Sequence, residues 1–404
     1  MRKIVSVGEA RELLLALPIY NKTERVPLTD ALDRIAARDF FALLPYPPFT
    51  RSPFDGYAFR SADTFSASEE HPAVLEINQE IPCGVMPVSP VSNGYAAKIL
   101  TGAPVPEGAD VILKFEDTLF SDKDVRIFAP QKPNTNIIKT GEDFSVGTLL
   151  VKGGTVITPA VLGIFASQGI AEIEVFTRPV VSIINTGTEL IKPGKPVEPA
   201  KIYNNSMYTL QGYLRDFGAD FLDGGIVEDD IAKINAAIEA TFDASDMIVT
   251  TGGASVGDYD CALRAAEQAG GDILFWKTDM KPGGSMLAYT LRGKLVLALS
   301  GSPGAAALGL LYIALPYIRK LCGRADVISE VCTVRLKNDY KKDSPKLRLI
   351  RGYLSIEVGN AYFIENKSQG SGDISSLSRC DLLAEIPAGS PPLAAGALVR
   401  AYRI

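Results

Sequence analysis

Hydroxyl and carboxylate side chains set beside glycines recur along this chain, and the densest group is DMIVTTGGASVGDYD at 246–260. Thr250, Thr251 and Ser255 supply hydroxyls, Gly252 and Gly253 let backbone N–H groups approach a ligand, and Asp258 and Asp260 add oxygen ligands. Such a loop can hold an anion and a hard cation together. The same setting recurs at Asp55 in SPFDGYA (52–58), Thr101 in TGAP (101–104), Asp143 in GED (141–143) and Glu189 in TGTE (186–189). In SGSPG at 300–304, Ser302 reads as an N-cap, Pro303 as the first helical residue and Gly304 as the next, so a helix N-terminus faces an anion with N–H groups. Lys277 and Lys281, close by, bring full positive charges. Taken singly, each stretch is also a turn capped by its own Asp, Ser or Thr.

Composition narrows the chemistry. The 404 residues are 47% hydrophobic and carry a net charge of −6 with no basic block, so nucleic acid is not an expected partner. Five cysteines (Cys83, Cys261, Cys322, Cys332, Cys380) are widely spaced without a C-x-x-C pair, which argues against a zinc knuckle or a disulfide framework and suits a reducing, cytoplasmic setting. His71, the single histidine, leaves no multi-histidine metal site, and a metal held by carboxylates points to Mg²⁺. Glu9, Arg11 and Glu12 interrupt the first apolar run, so no targeting segment is expected. The run Ala305–Leu315 is expected to be a buried helix ended by Pro316, too short for the ~20 residues that span a bilayer, and no membrane partner follows.

The elements that must position these residues follow from spacing. Ser6 and Glu9 form a capping-box pattern, with Ala10, Leu13, Leu14 and Leu17 on one helical face before Pro18. A second helix is expected at 30–40, and PYPPF at 45–49 marks a boundary. Short strands at 73–78, 95–100, 110–116 and 125–128 make a small β-rich module, followed by a helix at 159–168. From 178 the pattern alternates: strands at 180–185, 220–227, 247–250, 271–276, 286–291 and 294–299, and helices at 207–217, 230–241, 260–268 and from Pro303. This is an α/β domain with a largely parallel sheet, and the loops at 186, 250 and 300 lie beyond the carboxyl ends of its strands, where ligands bind. After 324, strands at 331–336, 347–350, 353–358, 361–364, 382–386 and 397–402 predict a compact β-barrel or sandwich, without a catalytic constellation of its own.

In their order along the chain, these motifs resemble the MoeA family, the molybdopterin molybdenumtransferases whose domain also forms the C-terminal part of gephyrin. The resemblance covers nearly the whole length. Its most specific pieces are SPFDGYA at 52–58, TGAPVPEGAD at 101–110 with Glu116 after it, GED at 141–143 and TTGGASVGDYD at 250–260; TGTEL at 186–190, MKPG at 280–283 and SGSPG at 300–304 are weaker. It implies a multi-domain α/β and β fold: a linking helical/β domain (1–45 and 140–177), a β-rich module (46–139), a three-layer molybdopterin-binding α/β domain (178–323) and a C-terminal β-barrel (324–404).

The implied reaction inserts molybdenum from molybdate into adenylylated molybdopterin, with Mg²⁺-dependent hydrolysis that releases AMP. The implied assembly is a cytoplasmic homodimer that also meets the adenylyltransferase supplying its substrate. On the matching positions Asp55, Thr101, Asp143, Glu189 and Asp260 carry catalysis, and Glu189, Asp229 and Asp260 carry the metal. Thr250, Thr251, Gly252, Gly253, Ser255, Asp258, Lys277, Lys281, Ser302, Pro303 and Gly304 bind the pterin phosphates and the oxyanion. The sequence departs from the family pattern at Ile138 (commonly Arg), Thr188 (Asp), Ser206 (Asn), Gly284-Ser285 (Lys-Pro) and Ala305-Ala306 (Asn-Pro). A second function class therefore stands beside the enzyme: a paralogue that binds pterin or a protein partner without turnover.

Overall fold

The computed structural model describes residues 4–252 and 259–404. They form two compact units: one takes in the chain up to Arg38, Gly153–Thr158 and Glu172–Ile404, the other Asp39–Lys152 and Pro159–Ala171.

The smaller unit is built on a six-stranded sheet in the order Val111–Lys114, Gly56–Phe59, Tyr95–Ile99, Ala73–Ile81, Asp124–Ile127, Leu119–Phe120. Strand Gly56–Phe59 is buried throughout because both its faces are covered. Tyr57 and Phe59 pack with Leu75, Val111 and Val125 on one face, and Ala58 with Ile81, Ile99 and Ile112 on the other. A Cβ on Gly56 would stand 2.0 Å from the Leu113 carbonyl oxygen, so the residue after Asp55 must be glycine for this pairing. The Pro159–Ser167 helix belongs to the same unit: Phe165 is buried edge-on to Phe40, with ring centroids 5.0 Å apart.

The larger unit holds a mixed sheet in the order Asp220–Val227, Val180–Thr186, Met247–Thr251, Lys294–Leu299, Leu287–Leu291, Asp272–Trp276. The first four strands are parallel, Leu287–Leu291 runs antiparallel to them, and Asp272–Trp276 runs antiparallel to Leu287–Leu291. Met247–Thr251 is buried at every position, as a central strand covered on both faces must be. One face carries the Ser206–Asp216 helix and the helix from Pro303, the other carries Ile231–Phe242 and Tyr259–Gln268, which gives three layers. The capping box forms as its spacing requires: Ser6 Oγ accepts from Glu9 N–H (3.2 Å) and Glu9 Oε2 from Ser6 N–H (2.9 Å). Val7, Ala10 and Leu14 of this first helix, Val7–Leu15, join the core on the sheet's first face.

Three sequence expectations fail for identifiable reasons. No helix forms at 30–40: Leu28–Asp30 is one 3₁₀ turn, Ile35 and Ala36 bridge to Val156 and Val175, and Phe40–Phe41 pairs with Leu149–Val151. Asp33 has φ 59°, a left-handed conformation that a helix interior does not accept, and non-local pairing takes over the backbone groups. The helix from Pro303 does not end at Pro316 but runs to Leu321 through a π turn at Leu310–Ala314. Pro316 has no N–H for the carbonyl four residues back, Tyr312 O; Arg11 Nε fills that vacancy at 2.7 Å. This 19-residue helix is long and apolar enough to cross a membrane, yet 83% of its apolar window is buried within the protein.

The third failure lies in the barrel, where 347–350 and 353–358 are a single strand, Leu347–Glu357. It bends at Gly352, which pairs with both Glu365 and Leu382, and there a Cβ would meet the Ile364 carbonyl at 2.3 Å. Pairing of Leu347–Glu357 with Leu382–Ile386 closes the barrel. The short strand Met280–Lys281 adds to its edge in parallel with Leu347–Arg348.

Candidate active site

In the smaller unit three of the singled-out stretches lie side by side. Ser52 N–H donates to Ala103 O (3.0 Å) and accepts at its own carbonyl from Gly102 N–H (2.8 Å), while Arg51 N–H donates to Ile138 O (2.9 Å). Asp143 N–H donates to Tyr46 O (3.0 Å), so segment 46–52 is threaded between the other two. Asp55 Oδ1 accepts from both the N–H and the hydroxyl of Thr101, each at 2.7 Å. The Thr101 hydroxyl, and after it the Thr101 N–H, hold the exposed Asp55 carboxyl below the usual carboxylate range. Asp55 therefore presents an ionised group fixed by one oxygen, with Asp143 exposed on the adjoining turn. Ile138 leaves no charge at its own position, but its bridge partner Arg51 stands beside it.

In the larger unit the loops after adjacent parallel strands close on one another through glycine. A Cβ on Gly252 would lie 2.0 Å from Thr186 O, and one on Gly301 would lie 3.1 Å from Gly252 Cα. Gly252 also has φ 102°. Gly252→Ala is expected to cost about 1–3 kcal/mol from backbone strain, read as a lowered unfolding temperature; an unchanged one would show that the loop relaxes freely. Thr250 and Thr251 are buried at this strand end, and Thr251 Oγ1 accepts from Asn185 Nδ2 at 2.5 Å. Asn204 Nδ2 donates in turn to Asn185 Oδ1 at 2.9 Å. These two asparagines were not singled out from sequence; a polar residue ending the apolar run of strand Val180–Thr186 was the available signal.

Glu189 is exposed and its carboxylate curls over Gly187, where a Cβ would come within 2.7 Å of either oxygen. Asp229, also exposed, follows the strand that pairs with Val180–Thr186, and its carbonyl accepts weakly from Cys261 Sγ at 3.9 Å. Gly253, Ser255, Asp258 and the Asp260 side chain lie outside the described residues. Among the described residues no three carboxylate, thiol or imidazole groups converge. Mg²⁺ needs only one or two carboxylates when substrate phosphates complete its shell, and the oxygen-only set of Glu189, Asp229 and the Thr186 hydroxyl, buried and without a partner among the described residues, fits that requirement.

Beside these loops, between the sheet and the barrel, lies a cavity of about 610 Å³. Lys277, Lys281, Lys346 and Arg348 line it together with Ser285, Ser300, Ser302 and Ser371, and no Asp or Glu does so among the described residues. Lys346, Arg348 and Ser371 come from the barrel, where the sequence shows no constellation because they are spread over 26 positions and only the fold joins them. Gly284, at the position where the family pattern has lysine, has no room for a side chain: a Cβ would meet Met280 O at 2.3 Å and Thr278 O at 2.6 Å. The other four cations supply the charge instead. Pro303 starts the helix as expected, but the N–H of Ala305 is engaged by Ser371 O (3.0 Å), and Gly304 makes room for the Arg351 guanidinium, 2.5 Å from where a Cβ would be.

Comparison with known proteins agrees along the chain. Residues 5–169 match the MoeA N-terminal region (domain I and II), 182–320 a probable molybdopterin binding domain, and 333–404 the MoeA C-terminal region (domain IV). A molybdopterin molybdenumtransferase of Bacillus subtilis (strain 168) is 32% identical over 407 residues, covering 100% of this chain and 95% of that protein. One from Staphylococcus aureus (strain MSSA476) is 29% identical, over 98% of this chain and 94% of that protein. The crystal structure of the molybdopterin biosynthesis MoeA protein from Pyrococcus horikoshii OT3 matches with a TM-score of 0.86 and 29% identity over 100% of both chains. With its motifs, its mixed α/β sheet and its closed barrel in the same order as these relatives, the chain belongs to the MoeA family of molybdopterin molybdenumtransferases.

Proposed function

We propose that this chain transfers molybdenum from molybdate to adenylylated molybdopterin, with hydrolysis of the phosphoanhydride and release of AMP. The observation that carries the reading is the cavity between sheet and barrel. Lys281 and Arg348 occupy register-paired positions on neighbouring strands, so two like charges stand together in a lining to which no described residue brings a carboxylate. A tetrahedral oxyanion dianion relieves that repulsion, and the serine hydroxyls donate to its oxygens.

The roles of the remaining groups follow from their placement. The ionised Asp55, held by Thr101, accepts a proton or orients water. The glycine loops at 187 and 252 bring backbone close to the pterin phosphates. Glu189, Asp229 and Asp260 would hold Mg²⁺, which would supply positive charge to the phosphoanhydride. The active form in this reading is a cytoplasmic homodimer that receives its substrate from the adenylyltransferase.

Purified protein given Mg²⁺, molybdate and adenylylated molybdopterin is expected to release AMP. Arg348→Ala, which removes a charge-assisted donor worth roughly 1.5–3 kcal/mol, is expected to raise the KM for molybdate about 10- to 100-fold. Pterin binding without AMP release would identify the non-catalytic paralogue instead.

A further inference from the structure

Two residues that line the same cavity, Arg348 and Thr278, each carry a buried side-chain donor, Arg348 Nε and Thr278 Oγ1, with no hydrogen-bond partner among the described residues. Thr278 is the more unusual of the two, because only 3% of its surface is exposed. Its N–H donates to Gly284 O at 2.9 Å, and its carbonyl packs against Gly284 where a side chain would otherwise sit. Flanking bonds fix its place, with Val5 N–H donating to Lys277 O (3.2 Å) and Asp279 N–H to Val5 O (3.1 Å). A buried hydroxyl without a partner lowers stability, and valine in its place would fill the same volume without that penalty.

We infer that Thr278 is a specificity-determining residue of the oxyanion cavity, its hydroxyl donating to the bound tetrahedral dianion. The inference rests on the proposal that this cavity takes molybdate. Threonine is suited to the role. Rotation about χ1 exchanges hydroxyl and methyl between two accessible positions, so the donor turns to the anion on binding while the cavity wall keeps its shape. A fully deprotonated oxyanion accepts at every oxygen, and in a lining without carboxylates among the described residues each added donor favours it over an anion that must place a proton.

The test is isothermal titration of the full-length protein with sodium molybdate alone, and with sodium tungstate, for wild type, Thr278→Val and Thr278→Ser. Thr278→Val is expected to weaken binding of both anions about tenfold or more, and Thr278→Ser to stay within about threefold of wild type. The unfolding temperature of anion-free Thr278→Val should equal or exceed that of wild type, and its increase on adding molybdate should be smaller. A merely structural threonine gives no such combination of retained stability with lost affinity. Wild-type binding that Thr278→Val leaves unchanged would overturn the role of Thr278 and leave the cavity reading standing. No molybdate binding by wild type would overturn both.

Discussion

Replacing Asp55 with asparagine is expected to lower kcat for AMP release by about 10²- to 10⁴-fold, the range typical of a lost acid–base group, with the fold intact. Asparagine keeps an oxygen at the same place, so it still accepts from the Thr101 N–H and hydroxyl that hold the loop. What it loses is the negative charge. Thr101→Val separates that charge from its anchoring, because it removes the hydroxyl that is the largest cause of the lowered Asp55 pKa. The sign follows directly. A carboxylate with a depressed pKa stays ionised to lower pH, so losing the hydroxyl moves the acid limb of the kcat/KM profile to higher pH. Any stability linked to the same shift is present above the unfolded pKa and lost as pH falls through the folded one. Steady-state rates across acid pH, with circular dichroism as the control for folding, check both variants. An Asp55→Asn enzyme within threefold of wild type would remove Asp55 from the chemistry.

Arg351→Met is expected to destabilise the barrel by about 1.5–3 kcal/mol, the scale for losing hydrogen bonds made by a charged group. Arg351 is fully buried. Its guanidinium donates to Gly370 O (2.9 Å) and Asp373 O (3.1 Å), and Gln369 Oε1 accepts from its backbone N–H (3.0 Å). The Asp373 carboxylate, which accepts from Ser368 Oγ and Gly370 N–H, ties the same loop from the other side and is held below the usual carboxylate range by the Ser368 hydroxyl first. Methionine fills much of the volume but takes the guanidinium from both carbonyls, leaving Gly370 O with the Asp373 N–H (3.2 Å) and Asp373 O with the Ser376 hydroxyl (3.2 Å). The loop carries Ser371, whose carbonyl receives the Ala305 N–H, so the cavity rim should loosen together with the barrel. Because the chain has more than one unit, the measurement is hydrogen exchange resolved over 347–403 rather than one global transition. Unchanged protection there would show that the loop holds without Arg351.

How much of this was legible in sequence depends on how local each interaction is. The Ser6–Glu9 capping box, the strands at 180–186 and 294–299 and the helix start at Pro303 were legible because their signals lie within a few residues of the elements they specify. The pairing of Asp55 with Thr101 was legible only as two neighbouring motifs, since a 46-residue separation hides a hydrogen bond from any pattern. Leu32 and Ile35 misled: their apolar spacing fits a helix, but Ile35 and its neighbour Ala36 bridge to Val156 and Val175. Arg351 fell in the gap between two expected strands, 347–350 and 353–358, and Lys346, Arg348 and Ser371 joined the site only through the closure of the barrel. Asn185 and Asn204 are 19 residues apart, and their bond also depends on tertiary packing.

The contact between Arg11 and the π turn has a consequence for how the protein is made. The carbonyl that Arg11 Nε engages belongs to Tyr312, 301 residues further along, and Val5 pairs with Thr278. The apolar face of the first helix therefore leaves the ribosome long before the surface it covers exists. For most of synthesis Val7, Ala10 and Leu14 have no native site, and a chaperone that holds short amphipathic segments has a natural client there. A bulky fusion ahead of Ile4 would crowd the isolated bridge by which Val5 orders Lys277 and Thr278.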